Sequence, residues 1–265
     1  MNIFVISLEN SISRQKHIKY EFSKEKILFS FFKAVTPKDI NHVSKLLDID
    51  VSNADLTDGE KACFLSHASL WKKVIDENLD YICIFEDDIY LGKNINNFLL
   101  DISCYPKDFD IIKLESFHNP ILIDSTFKKQ VFNRYLYKLV SRNLGAAGYI
   151  LSRNCAEKLI YYFHSSKKFE AVDHFLFETL VYNKNYNIFH IEPSICKQDF
   201  LINGSNKNFS SSLESERKLR IDNLINREKQ KLPFSKKVIR EILRLFKRIS
   251  KFFERKPKQI FSSFK

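Results

Sequence analysis

The sequence predicts an α/β fold, with a mostly parallel sheet flanked by helices and a helical C-terminal extension. Short apolar runs without charge recur from the first residues, as in strands buried on both faces of a sheet. Helical patterns separate these runs, so strands and helices alternate as in βαβ units. The net charge of +11 is concentrated at the end of the chain, where residues 231–265 hold 12 Lys and Arg against two Glu. We therefore expect one domain over residues 1–212 and a basic helical tail over 213–265.

The first third of the chain contains the clearest strand and helix patterns. Residues 2–8 predict a buried strand, 11–22 a helix and 27–35 a second apolar strand. Thr57 and Glu60 form a capping-box pattern, which predicts a helix beginning there. Residues 81–85 are apolar or aromatic and predict the next buried strand. A parallel sheet is the simplest product of this order.

Three consecutive carboxylates follow that strand: Glu86, Asp87 and Asp88. Ligands of open α/β sheets bind at the carboxyl ends of the strands. Clusters of oxygen ligands suit hard cations such as Mg²⁺ or Mn²⁺. The alternative is an acidic surface turn after a core strand. The pattern alone leaves both open.

The rest of the chain predicts further short elements. We expect a helix at 95–102, a strand at 109–114, short antiparallel strands or a hairpin within 120–140, helices at 152–163 and from 171, and extended segments at 188–191 and 194–198. Gly145 and Gly148 are two of only five glycines, which predicts a close backbone approach at this point. The stretch 203–212 is rich in Gly, Ser and Asn and predicts a boundary loop.

The tail predicts two helices, 215–231 and 236–255, of which the second is basic and amphipathic. This character favours an anionic membrane surface as its partner, and docking on its own domain is the alternative. Nucleic-acid binding is disfavoured because large apolar residues would have no purpose there. No run of about 18 apolar residues predicts a membrane span, and residues 1–9 lack the basic region of a signal peptide. Five scattered cysteines without a CxxC pair predict reduced thiols in a cytosolic protein.

Four motifs follow one another along residues 1–200: residues 5–8 with Arg14, residues 58–67 with Leu70 and Trp71, residues 86–88, and residues 145–153 with Ala156 and Leu159. In this order they resemble the motifs of glycosyltransferase family 25. That family includes bacterial lipooligosaccharide galactosyltransferases. The resemblance implies a GT-A-like fold, a UDP-sugar donor (most often UDP-galactose), a divalent Mn²⁺ or Mg²⁺ ion and inversion at the anomeric carbon. It also implies a lipid-linked oligosaccharide acceptor and a cytoplasmic, peripheral location on the inner membrane.

The resemblance assigns roles to several residues. Asp88 is expected as a metal ligand, with Glu86 at the metal or the ribose, and His190 is a candidate to complete the metal shell or else a structural histidine. Arg14 is expected at the pyrophosphate, or else as a solvated helix charge. Glu60 and His67 lie two turns apart on one helical face, although Glu60 alternatively only completes its capping box. The residues expected around the donor are Ser7, Arg14, Glu60, His67, Glu86, Asp87, Gly145 and Gly148.

Inverting transfer also needs a carboxylate that accepts the proton of the acceptor hydroxyl. Asp173 is our first choice because it is an isolated acid at a predicted helix start, where the helix dipole alone also favours an acid. Glu115, at the end of the strand predicted at 109–114, is the second.

Two other classes of function remain open from the sequence. One is a non-catalytic α/β domain that binds an acidic partner or a membrane through its basic tail. The other is a Mg²⁺-dependent phosphoryl-transfer protein. No GxxxxGK[ST] or GxGxxG motif supports the use of ATP or a dinucleotide, and neither class accounts for four ordered motifs.

Overall fold

The computed structural model describes residues 2–117, 119–204, 208–209, 220 and 257–264. The chain divides into two units, one formed by Met1–Ser210 with Lys258–Lys265 and the other by Ser211–Pro257. Apart from residue 220, the helices predicted at 215–231 and 236–255 lie outside the described residues. Within the described ranges, no helix has the length and apolar character needed to cross a membrane.

The first unit is a mixed α/β structure with a large central sheet. Nine of its described strands form this sheet in the order β11-β6-β7-β9-β5-β8-β3-β1-β2, and β4 and β10 form a separate antiparallel pair. The strands are β1 Asn2–Ser7, β2 Ser30–Lys33, β3 Tyr81–Glu86, β4 Ile89–Leu91, β5 Ile111–Lys113, β6 Ile121–Val131, β7 Arg134–Leu139, β8 Gly148–Ser152, β9 Ile188–Glu192, β10 Cys196–Gln198 and β11 Lys258–Ile260.

Helices flank both faces of this sheet. They are α1 Ile12–Lys24, α2 Ile40–Leu47, α3 Asp58–Asp76, α4 Asn96–Leu100, α5 Arg153–Ser165, α6 Val172–His174 and α7 Asp199–Asn203. The predicted capping box at the start of α3 is confirmed. The Glu60 amide donates to Thr57 Oγ1 at 3.1 Å, and the Thr57 amide donates to Glu60 Oε2 at 3.0 Å.

The strands in the middle of the sheet are buried on both faces, as the sequence predicts. Ile82 and Ile84 belong to the core under α3 and α5, whereas Cys83 and Phe85 belong to the core under α1 and α4. Burying one large apolar side chain contributes about 1.5–3 kcal/mol relative to leaving it exposed. Two cores of this kind fix β3 in the sheet and thereby fix the acids that follow it.

The direction of β8 differs from a simple parallel arrangement. Strands β1, β2 and β3 are parallel, but β8 lies antiparallel between β3 and β5. The preceding strand β7 ends beside the amino end of β9, and β8 begins opposite Phe85 at the carboxyl end of β3. Residues 140–147 therefore carry the chain across to the carboxyl edge, so that β8 has to run back. Six of the nine described strands of the sheet still point the same way.

The described end of the chain returns to the sheet. Strand β11 pairs antiparallel with β6, the first strand of the predicted hairpin, which is confirmed as β6–β7. The Ser263 amide donates to Glu192 Oε1 at 2.7 Å. In residues 258–260 the structure thus has a strand where a helical extension is predicted, because Pro257 disfavours helix continuation and the edge of β6 supplies hydrogen-bond partners.

Candidate active site

Polar groups collect at the carboxyl edge of the central sheet. Strands β1, β3 and β5 point to this edge, and Ile6 of β1 lies beside Glu86 of β3. Ser7 and Glu86 are the last residues of β1 and β3, Asp87 and Asp88 follow β3, and Glu115 lies two residues after β5. The structure therefore brings together five of the residues that the sequence predicts for the site.

Asp87 is held by two side chains of the protein itself. Ser7 Oγ donates to Asp87 Oδ2 at 2.7 Å, and Arg14 Nη1 donates to Asp87 Oδ1 at 2.5 Å. Asp87 is buried, and the Arg14 side chain is 21 % exposed. Arg14 thus contacts an acid of the triplet, and this ion pair joins α1 to the end of β3. Contact of these residues with a donor stays a prediction.

Asp88 and Glu86 have looser partners. Gln198 Nε2 donates to Asp88 Oδ1 and to Glu86 Oε2, at 3.5 Å in each case. The Asp199 amide donates to the Asp88 carbonyl at 2.8 Å, which joins α7 to the acids. Burial and the neighbouring Glu86 carboxylate raise the pKa of Asp88 to about 7. Two adjacent carboxylates whose charges repel form an oxygen donor set that fits a hard divalent cation.

Glu115 is a fully buried acid next to this pair. Its Oε2 accepts a hydrogen bond from the Ala147 amide at 2.9 Å and lies 3.7 Å from Lys113 Nζ. Its Oε1 is buried without a hydrogen-bond partner among the described residues. Burial raises the pKa of Glu115 to about 7 against the opposing charge of Lys113. Glu115 therefore changes protonation near neutral pH.

Lys113 is a fully buried cation behind Glu115. Its Nζ donates to the carbonyls of Leu144 (2.9 Å) and Gly145, and lies 4.0 Å from the centre of the Phe177 ring. Burial lowers the pKa of Lys113, while the carboxylates of Glu115 and Asp173 oppose this shift. Lys113 is thus an electrostatic neighbour of both predicted base candidates.

At both predicted glycines the backbone lies close to another part of the protein itself. A Cβ on Gly145, whose φ is +89°, would lie 2.6 Å from Glu115 Oε2. A Cβ on Gly148 would lie 2.3 Å from Cys196 Sγ. The close approach therefore positions Glu115 and β10, and contact of the glycines with a donor sugar stays a prediction.

His67 faces the acids from α3. Its Nδ1 lies 2.8 Å from the Tyr149 hydroxyl, which accepts a hydrogen bond from Trp71 Nε1 at 2.9 Å. Its Nε2 lies 3.5 Å from Glu86 Oε1. Glu60, two turns earlier on the same helix, is buried and completes the capping box. The structure thus brings His67 to the acid triplet, and a donor role for Glu60 stays a prediction.

The two remaining predicted site residues, Asp173 and His190, are neighbours of Lys113. Asp173 is buried in α6, near Lys113. His190 is fully buried in β9 beside Lys113 of β5, and β9 is three strands from β3 in the sheet. At about 4.8 Å per strand, this separation is roughly 14 Å. Burial and the Lys113 charge lower the pKa of His190 to about 3, and the structure does not bring it to Asp88.

Comparison with known proteins identifies the family of this chain. The model of the family described as "Glycosyltransferase family 25 (LPS biosynthesis protein)" matches residues 1–176. The chain belongs to glycosyltransferase family 25. The four motifs of the predicted resemblance all lie within the matched residues.

Several relatives match most of the chain. A putative glycosyltransferase of Haemophilus influenzae is 38% identical over 81% of this chain and 76% of its own length. Lipooligosaccharide biosynthesis protein lex-1 of the same species is 36% identical over 82% of each chain. Lacto-N-neotetraose biosynthesis glycosyltransferase LgtE of Neisseria meningitidis is 32% identical, again over 82% of each chain. A solved glycosyltransferase, involved in the glycosylation of the major capsid of PBCV-1, has a TM-score of 0.38 and 9% identity over 75% of this chain and 94% of its own. This likeness carries no inference.

Sequence reasoning missed three polar residues of the candidate site. Gln198 and Asp199 lie beyond the matched residues and reach Asp88 through the pairing of β10 with β4. Lys113 looks like the exposed end of a strand in the sequence. Its burial depends on carbonyl groups some 30 residues away in the chain, so no local sequence pattern predicts that Lys113 is buried.

Proposed function

We propose that this chain is an inverting, metal-dependent glycosyltransferase that moves a hexose, galactose from UDP-galactose, onto a lipooligosaccharide core glycan. The observation that carries the proposal is the grouping of Asp88, Glu86 and Glu115 at one sheet edge, where Glu115 Oε1 has no hydrogen-bond partner among the described residues. Family membership and the names of its lipooligosaccharide and LgtE relatives support the substrate classes. A GT-A-like fold is part of the same proposal.

Asp88 and Glu86 would hold a Mn²⁺ or Mg²⁺ ion. When bound, this ion supplies positive charge that neutralises the diphosphate leaving group. Gln198 keeps the two carboxylates together, and Asp87 with Ser7 and Arg14 holds the turn that carries them. The donor set is thus positioned before substrate arrives.

Glu115 is the base that the structure supports best. Its pKa of about 7 suits proton transfer near neutral pH. Its partnerless Oε1 is buried and would accept the proton of the acceptor hydroxyl once the groups that cover it move aside. The Ala147 amide fixes the other oxygen, Oε2. Asp173 remains the competing candidate and shares the Lys113 neighbour with Glu115.

The donor class is testable by thermal denaturation of the purified chain with UDP, GDP, CMP or ADP, each with and without Mn²⁺. A ligand that binds only the folded state stabilises that state by about 2.7 kcal/mol when its free concentration is 100 times its Kd. We expect a rise in Tm specific to UDP with Mn²⁺. A response to ADP instead would favour the phosphoryl-transfer class, and no response to any nucleotide would favour the non-catalytic class.

We also propose that the basic residues of 236–255 hold the enzyme on the cytoplasmic face of the inner membrane, near its acceptor. Anionic membranes attract each juxtamembrane Lys or Arg by about 1 kcal/mol. Because β11 belongs to the sheet, substitution is a cleaner test than deletion of the tail. The test changes six basic residues to Gln: Lys237, Arg240, Arg244, Lys247, Arg248 and Lys251.

This variant is expected to sediment at least tenfold less with anionic vesicles than the unchanged chain. A control variant of the same net charge carries six Lys→Gln changes at exposed positions of the first unit. The changed residues are Lys16, Lys19, Lys26, Lys45, Lys107 and Lys167. Equal loss of binding in both variants would refute a specific role for the tail.

A further inference from the structure

A second group of potential metal ligands lies on the α3 side of the acid triplet. Cys63 and His67 are four residues apart on α3, so their side chains share one face of the helix. Glu86, at the end of β3, faces them. One ligand atom from each of these three residues can be chosen so that all lie within 4.8 Å of one another.

The histidine of this group is oriented as a metal ligand would be. His67 is fully buried, and its ring is fixed through Nδ1 by Tyr149, which Trp71 holds in turn. Its Nε2 is buried without a hydrogen-bond partner among the described residues. Histidines that bind metals usually engage their second ring nitrogen in such a hydrogen bond. With the proton on Nδ1, the lone pair of Nε2 points toward Glu86 Oε1, an arrangement that a cation stabilises.

We propose that Cys63, His67 and Glu86 bind a thiophilic divalent cation of the Zn²⁺ type. The site takes one Cys, one His and one carboxylate, and the half-buried Cys63 and Glu86 leave a fourth position open to water. On binding, the Cys63 thiol releases its proton to solvent. The thiolate and the carboxylate then balance the two positive charges of the ion, and the imidazole stays neutral.

The distances suit this chemistry. Bonds of about 2.0–2.1 Å from zinc to nitrogen and oxygen place those two atoms about 3.3 Å apart in a tetrahedral site, close to the 3.5 Å between His67 Nε2 and Glu86 Oε1. His67 is locked by its neighbours. Cys63 and Glu86 are only half-buried, so their side chains can rotate to bring sulfur and oxygen onto the ion.

This site differs in kind from the oxygen site at Asp88. Thiolate ligands select soft ions, whereas carboxylates alone suit Mn²⁺ and Mg²⁺. The two sites share Glu86, whose Oε1 faces His67 and whose Oε2 faces Gln198. A zinc ion at Cys63 would draw Glu86 away from the donor side and thus inhibit transfer. This consequence rests on the proposed function, whereas the binding of zinc does not.

The direct test is titration of the full chain with Co²⁺, which replaces Zn²⁺ and gives a near-ultraviolet charge-transfer band when bound to a thiolate. We expect one equivalent of Co²⁺ to produce the band and Zn²⁺ to abolish it. The band should be lost in Cys63→Ser and kept in Cys104→Ser, a control at a reduced cysteine of similar burial outside the group. Absence of the band, or its persistence in a folded Cys63→Ser variant, would overturn the proposal.

A second measurement needs no variant. Zn²⁺ should slow the alkylation of Cys63 by iodoacetamide at least tenfold in the unchanged chain, while alkylation of Cys104 continues at the same rate. Equal rates at Cys63 with and without Zn²⁺ would contradict the site. If transfer is also measured, the Zn²⁺ concentration for half inhibition should rise at least tenfold in Cys63→Ser, each variant being compared with its own zinc-free rate. Loss of transfer activity in every protein, with the Co²⁺ band intact, would refute the proposed function and leave the zinc site standing.

Discussion

Replacement of Asp88 by Ala is expected to lower metal-dependent transfer at least a thousandfold. The cation that Asp88 would share with Glu86 stabilises the leaving diphosphate by several kcal/mol, and each 1.36 kcal/mol corresponds to a factor of ten in rate. The fold should survive, because Asp88 is half-buried and its partner Gln198 is 3.5 Å away. The measurements are kcat with Mn²⁺ titration and the Tm of the variant.

Two neighbouring substitutions make this prediction specific. Asp76→Ala, at an exposed position near the end of α3, should leave kcat and Tm nearly unchanged. Asp87→Ala should instead lower Tm, since it removes the buried carboxylate that accepts hydrogen bonds from Ser7 and Arg14 and joins α1 to the end of β3. Full activity of Asp88→Ala at saturating donor would exclude Asp88 as a ligand.

The second large effect is expected at Glu115. Glu115→Gln should reduce kcat by about 10²–10⁴, the usual contribution of a general base, and should leave the stabilisation by UDP with Mn²⁺ unchanged. A base must be deprotonated to act, and the pKa of Glu115 is raised to about 7. At saturating Mn²⁺, which would keep Asp88 deprotonated, the rate of the unchanged enzyme should therefore fall as pH decreases below 7, and the residual rate of the variant should lose this dependence.

Asp173→Asn is the matched comparison for Glu115→Gln. Both changes remove a negative charge near Lys113, so a loss of stability common to both reflects that lysine and not catalysis. If Asp173 is the base, the larger loss of kcat appears in Asp173→Asn and the pH dependence persists in Glu115→Gln. That outcome would reassign the role.

Much of the fold was predictable because its signals are local. The capping box of α3 is visible in the sequence because Thr57 and Glu60 lie three residues apart. The apolar run before Glu86 predicts strand β3 without any reference to the rest of the chain. The direction of β8 was not predictable, because an apolar segment such as residues 148–151 has the same composition in either orientation. Strand β11 escaped prediction for a related reason, since its partner β6 lies more than 100 residues away.

The site also contains features that local sequence predicts and features that depend on distant parts of the chain. The acids 86–88 were predictable from their place after a buried strand, and Glu115 from the end of β5. The burial of Glu115 depends on the return of Ala147 and Gly145 from another part of the chain. The position of His190 depends on strand order, which puts β5 and β8 between β9 and β3. The order of the strands in the sheet thus decides which of the predicted site residues lie close together.

The measurement that tests the central claim most directly is transfer from UDP-galactose to a truncated lipooligosaccharide acceptor, followed by mass spectrometry of the glycan. We predict that one hexose is added, that chelation by EDTA stops the reaction and that Mn²⁺ restores it. Equal product with EDTA would contradict the metal-dependent mechanism. Absence of product with every UDP-hexose, despite binding of UDP and Mn²⁺, would contradict the assignment of the chain as an active hexosyltransferase.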